Sequence, residues 1–209
     1  TLKMLDTVRR MVPWAPGADA QPGGTVPLAP ETGAQQQNAP PQAEPKTQET
    51  WPMNKRIRLA GENKVLMRDI PQFCFHEHRI PSETYVAGWI KTSDGSKYRL
   101  KVLVGPKFPD KMMRLFVISP HEVPKYGGGL VNGAGLSHEF HTRGKGPNGC
   151  VEICHCQEES WDPSNTVASV VIKGTIWCEA HCNLLKTGES IAAYCDRIRT
   201  KIPESQNQL

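Results

Sequence analysis

The segment Gly149-Cys150-Val151-Glu152-Ile153-Cys154-His155-Cys156 brings three cysteines into seven residues, and Trp161-Asp162-Pro163-Ser164 follows closely. A thiol set after a glycine-containing loop, ahead of a Trp-x-Pro-Ser turn and a helical pattern, suits presentation at the rim of a shallow groove. The matching chemistry is acyl transfer through a thioester, in which the thiolate is the attacking species. Cys154 is the candidate nucleophile, with Cys150 and Cys156 as alternatives. If Val151-Glu152-Ile153 forms a strand, Cys150, Cys154 and Cys156 share one face while Val151 and Ile153 point the other way. His155 then faces away from Cys154.

A metal competes for the same thiols. Cys150-x3-Cys154-x-Cys156 with Cys178-x2-His181-Cys182 offers four zinc ligands, the set being Cys150, Cys154, Cys156 and Cys182. Structural zinc sites favour closely spaced cysteine pairs on tight turns. Here the second group falls on a predicted long helix, where Trp177, Cys178 and His181 also fit ordinary core positions. Cys74-x-His76-x-His78 is a further metal-type grouping, read as a solvated loop.

The elements that must position these groups follow from periodicity. A helix is predicted over about 54–68, with Ile57, Leu59, Val65 and Leu66 as its apolar positions and Ile70-Pro71 ending it. Strands are expected at Tyr85–Ile90, Lys97–Val104 and Arg114–Ile118. Asp94-Gly95 marks a hairpin between the first two, and alternation of basic with apolar residues in the second marks a sheet with one wet face. Residues 120–153 read as a long irregular region. A helix then begins near Ser164 to Thr166, where hydroxyls can cap it. Val167, Val170, Val171, Gly174, Trp177, Cys178, His181, Leu184 and Leu185 form its apolar face, and Thr187-Gly188-Glu189 breaks it. A last helix spans about 190–201. The order predicts an α+β domain with helices on one face of a small antiparallel sheet.

Composition sets the frame. Residues 13–52 hold nine of the eighteen prolines together with four glycines, and are expected to form a disordered linker. Residues 1–12 carry Leu2, Leu5, Val8 and Val12 at helical spacing, a possible short docking helix or a weakly structured end. The globular domain is expected over 53–209. The net charge is +4 and no basic run exceeds two residues, so no nucleic-acid partner is expected. No apolar stretch approaches a membrane span and no signal-peptide core opens the chain. The seven cysteines therefore point to a reducing, cytoplasmic setting with free, metal-bound or catalytic thiols. The chain begins at Thr1 rather than Met, as a fragment or processed product would.

Taken in order, residues 54–195 resemble the ubiquitin-conjugating (UBC-like) family. Gly88-Trp89-Ile90 with Tyr98-Arg99-Leu100-Lys101-Val102 is similar to that family's first hairpin. Phe108-Pro109 and Leu115-Phe116-Val117-Ile118-Ser119-Pro120 are similar to its third strand. His138 sits where a histidine commonly precedes the active loop, and Ile153-Cys154 with Trp161-Asp162-Pro163 resembles the nucleophile segment. Trp177 with Lys186-Thr187-Gly188-Glu189 resembles the divergent bacterial members of ubiquitin-like conjugation and antiphage systems. The family's His-Pro-Asn tripeptide is absent: Glu139-Phe140 follows His138, and Pro147-Asn148 is the nearby Pro-Asn pair.

The resemblance implies a conjugating enzyme with no cofactor. Cys154 would accept a ubiquitin-like modifier from an activating enzyme as a thioester and pass it to a target lysine. Asn148 and the backbone around Cys154 are the implied oxyanion donors. Glu158, Glu159 and Asp162 are the candidate acids beside the attacking amine. The helix carrying Lys55, Arg56 and Arg58 is the region that commonly meets the activating enzyme. The alternatives are a catalytically inactive UBC-like scaffold and a zinc-stabilised binding domain.

Overall fold

The computed structural model describes residues 50–77 and 80–200. The expected docking helix at 1–12, most of the proline-rich linker, His78 and the last nine residues lie outside the described residues.

Among the described residues the architecture is α+β, with a seven-stranded sheet and three α-helices. Helix α1 (Met53–Asp69) leads into strand β1 (Phe73–His76), then β2 (Tyr85–Lys91), β3 (Lys97–Leu103) and β4 (Arg114–Ser119). Strands β5 (Leu136–Ser137), β6 (Thr142–Lys145) and β7 (Val151–Ile153) follow, then helices α2 (Val167–Thr187) and α3 (Ile191–Thr200). The sheet order is β1-β2-β3-β4-β7-β6-β5, and every neighbouring pair is antiparallel.

Three expected strands are present, and the β2–β3 turn is built as the sequence suggests. Gly95 takes φ 92°, the left-handed conformation open to glycine, while Thr92 N–H donates to the Ser96 carbonyl at 2.9 Å. The stretch 120–153 is not one irregular loop, because it supplies β5, β6 and β7. Its strands are two to four residues long, too short to impose a visible period of two. Likewise Phe73-Cys74-Phe75-His76, expected as loop, pairs with β2. A Cβ on Gly88 would lie 2.5 Å from both the Gln72 carbonyl oxygen and the Phe73 ring, so only glycine lets β1 lie this close.

The helices cover the inner sheet face. Helix α2 is capped by reciprocal bonds between Thr166 and Ser169 and stopped by Gly188, whose left-handed backbone donates to the Leu184 carbonyl at 2.9 Å. It is buried on nearly every side rather than along one stripe, although Leu185 remains exposed. Gly174 sets its closeness to the sheet, since a Cβ there would stand 2.7 Å from Leu100 Cδ1.

In α1 the buried line is Leu59, Glu62 and Leu66, whereas Ile57, expected to be apolar contact, faces solvent. Buried Glu62 ties the two helices together. Its carboxylate accepts from Arg58 Nε at 2.7 Å and from the Val167 N–H, at the first turn of α2, at 2.8 Å. Trp51, assigned to the linker on composition, is buried and donates from Nε1 to Thr84 Oγ1 at 3.0 Å. The packed domain therefore begins before residue 53.

Candidate active site

The thiol cluster surrounds β7, an interior strand held between β4 and β6. Val151 and Ile153 enter the core, and Glu152, also buried, lies on the opposite face of the strand, paired with Arg114 at 2.7 Å. Cys150 precedes the strand and Cys154 follows it. At about 3.3 Å per residue their backbones stand roughly 13 Å apart, so they are separate thiols and not one cluster.

Cys150 is sealed. Its Sγ donates to the Pro147 carbonyl at 3.0 Å, and a Cβ on Gly146 would meet both this sulfur and the Phe116 ring. Cys154 is free and half-buried. Its backbone N–H donates to the His141 carbonyl at 2.8 Å, which extends the β6–β7 pairing by one residue. Its Sγ makes one weak contact, 3.7 Å to the Cys156 carbonyl. Burial raises the Cys154 pKa above that of an ordinary thiol, while the charges of Arg143 and Lys173 act against this rise. Cys156 is also half-buried, with its Sγ 3.2 Å from Met112 Sδ.

Two cations act on this thiol, Arg143 and Lys173, and neither was among the expected site residues. Arg143, on β6, donates to Met112 Sδ at 3.4 Å and lies 3.7 Å from Glu158, which also reaches Lys111 at 3.6 Å. Lys173 projects from the middle of α2 and is buried. Burial lowers its pKa, and nearby Cys156 and Cys154 oppose that shift. A lone lysine within Val-Val-Ile-Lys-Gly-Thr-Ile was the available signal for Lys173. Arg143 lay hidden in the stretch read as loop.

The other expected residues divide. His138 is exposed, with its ring 5.4 Å from that of His141, whose carbonyl receives Cys154 N–H, so the chain brings His138 to the same corner. His141 has φ 46°, unusual for a residue with a side chain and typical of constrained functional corners. Asn148 is corrected. It sits in the turn before β7, the end of the strand opposite Cys154, with φ 58° and its carbonyl accepting from His121 Nε2 at 2.7 Å. Asp162 is also committed elsewhere, because its carboxylate accepts from Ser164 N–H at 2.7 Å in the turn leading to α2. Among the three acids considered, Glu158 is the one connected to the thiol corner, through Arg143.

The zinc set is not assembled. Cys182 and Cys178 belong to the core around His181, far along α2 from β7. His181 Nε2 donates to the Pro124 carbonyl at 2.8 Å and Nδ1 lies 2.7 Å from the Tyr98 hydroxyl; burial lowers the His181 pKa and so favours the neutral ring, with Nδ1 accepting from Tyr98 O–H. Cys182 Sγ lies 3.4 Å from the same hydroxyl. Among the described residues no three His, Cys, Asp or Glu side chains converge to hold a metal ion.

His155 turns inward, as strand alternation requires. It is buried, donates from Nε2 to the Met113 carbonyl at 2.8 Å, and meets Trp161 edge to face at 6.1 Å. Burial lowers its pKa to about 4, and His141 is lowered to about 4 by burial and by His138. Both stay neutral in the fold at a pH where the unfolded chain protonates near 6.5. The stability they contribute is complete above pH 6.5 and is lost as pH falls toward 4. Each contributes up to about 1.4 kcal/mol per pH unit in that window. Urea midpoints should therefore be flat from pH 8 to 7 and drop between pH 6.5 and 4.5. A midpoint unchanged at pH 5 would contradict the buried neutral assignment.

Among the described residues no helix is long and apolar enough to cross a membrane. In comparisons with known proteins, no protein-family model matches the chain and no curated protein is significantly similar to it.

Proposed function

We propose that the chain is a ubiquitin-conjugating-like transferase using Cys154 as its thioester nucleophile. One observation carries this reading. Cys154 is a free, half-buried thiol at the end of an interior strand, between the His138–His141 turn and the Trp161-bearing turn that leads into α2. The α+β order of helix, antiparallel meander, thiol segment and long helix is also the order the UBC-like resemblance implies.

The Cys154 thiolate attacks the carbonyl carbon of a modifier's C-terminal thioester. The tetrahedral intermediate collapses and expels the activating enzyme's thiolate, leaving the acyl group on Cys154. An amine then attacks that carbonyl, loses a proton, and releases the Cys154 thiolate as an amide forms. The leaving and attacking thiols are alike, so the exchange needs no strongly acidic thiol. A raised Cys154 pKa keeps the resting sulfur protonated, and Arg143 and Lys173 stabilise the thiolate when it forms. Glu158, exposed and 3.7 Å from Arg143, is the candidate acid for an incoming amine.

The test supplies the modifier in two ways, through an activating enzyme with ATP and as ubiquitin carrying a C-terminal mercaptoethanesulfonate thioester. Products are run on a non-reducing gel. A band one modifier heavier, removed by dithiothreitol, is expected. Absence of the band by both routes, with the chain folded, would leave the inactive-scaffold alternative standing instead.

A further inference from the structure

The outer face of the sheet, opposite the helices, gathers residues that look dispersed in the sequence. On antiparallel strands, directly opposed residues share a face and alternate positions repeat it. Lys91 opposes Lys97, Trp89 opposes Arg99, Ala87 opposes Lys101, and His76 opposes Tyr85. Strand alternation puts these on one face, where Ala87 is buried and the others are exposed or partly exposed: Lys97, Arg99 and Lys101 alternate with the core residues Tyr98, Leu100 and Val102. Trp89, on the next-to-edge strand β2, is 51% exposed. The His76 and Tyr85 rings stack at 4.5 Å, and Lys101 Nζ lies 4.1 Å over the Tyr85 ring. Lys91, Lys97, Arg99 and Lys101 form no ion pair with other described residues; Arg114 on β4 is neutralised by Glu152. Directly opposed like charges such as Lys91 and Lys97 cost a sheet stability, so a purely structural role gives no reason for them.

We propose that this face binds single-stranded nucleic acid, independently of the thiol chemistry. An exposed indole flanked by cations that form no ion pair with other described residues matches a strand whose bases stack while its phosphates are neutralised. Lys97, Arg99 and Lys101 recur about every 6.6 Å along β3, so successive phosphates of an extended strand can each meet one cation. The absence of a basic run in the sequence is no objection, because a strand places only every second residue on one face. An acidic protein surface would satisfy the cations but would leave the exposed Trp89 indole without a role.

Anisotropy of a fluorescein-labelled twenty-nucleotide oligo-dT, titrated with the full chain at rising potassium chloride, tests this. Saturable binding is expected. With three or four phosphates contacted, a tenfold rise in salt should weaken it roughly 10²–10³-fold. Trp89→Ala should weaken binding roughly five- to a hundredfold, with Trp89→Phe recovering most of the loss. Arg99→Glu with Lys101→Glu should reduce the salt slope and the affinity together. Cys154→Ala should leave binding unchanged, which separates this result from any failure of the transferase reading. No saturable binding at low salt would overturn the proposal. So would poly-glutamate competing as well as oligo-dT while Trp89→Ala has no effect, an outcome that marks an acidic-protein surface.

Discussion

Cys154→Ala should abolish the thiol-sensitive modifier adduct, while Cys150→Ser and Cys156→Ser retain it. The distinction comes from access. Cys150 is buried beneath the Gly146 turn with its S–H given to the Pro147 carbonyl, so no acyl carbon can approach it without opening that turn. Cys156 directs its sulfur to Met112. Cys154 alone of the three combines partial exposure with a sulfur that makes only a 3.7 Å contact. Its thiol is raised by burial, so the reactive thiolate is a minor species at neutral pH and should grow about tenfold per pH unit. Single-turnover charging rates followed from pH 7 to 8.5 should rise on that slope. Adduct surviving in Cys154→Ala but vanishing in Cys156→Ser would move the nucleophile two residues along the chain.

Trp177→Ala should destabilise the domain by about 3–5 kcal/mol, a large share of the stability of a domain this size. Trp177 is 2% exposed, stacks on His181 at 5.3 Å with nearly parallel rings, and donates from Nε1 to the Phe140 carbonyl at 2.8 Å. Truncation opens a cavity in the middle of α2 and leaves a buried carbonyl without its donor. Trp177→Phe keeps the stack and loses only the hydrogen bond, so about 1–2 kcal/mol is expected. Urea unfolding followed by circular dichroism measures both. A Trp177→Ala loss below about 1 kcal/mol would show that the α2 core is not packed as described.

The sequence foretold elements wherever a long period was available. Helix α2 shows its hydroxyl cap, its apolar positions and its glycine stop, and β2 and β3 show their turn and alternation. Short elements left no comparable trace. Strands β5 to β7 contribute only a few residues each, and their pairing depends on partners far along the chain. That is why residues 120–153 read as loop. For the candidate site, the thiol segment and its Trp161 turn were visible as local patterns. Arg143 and Lys173 were not, because a cation becomes a thiol's neighbour only when β6 and α2 meet at the end of β7. Asn148 and Asp162 illustrate the opposite error. Nearness in sequence suggested a shared site, but a three-residue strand carries Asn148 away from Cys154 and the approach to α2 occupies Asp162.

The bond from Cys154 N–H to the His141 carbonyl anchors the backbone at Cys154 to the sheet's interior lattice instead of a free-swinging loop. The chain carrying this thiol is thus held in place before the proposed acyl donor arrives. On the proposed transferase reading the donor brings the adaptability, such as a pliant tail ending in the activated carbonyl, because the strands hold the receiving residue's backbone.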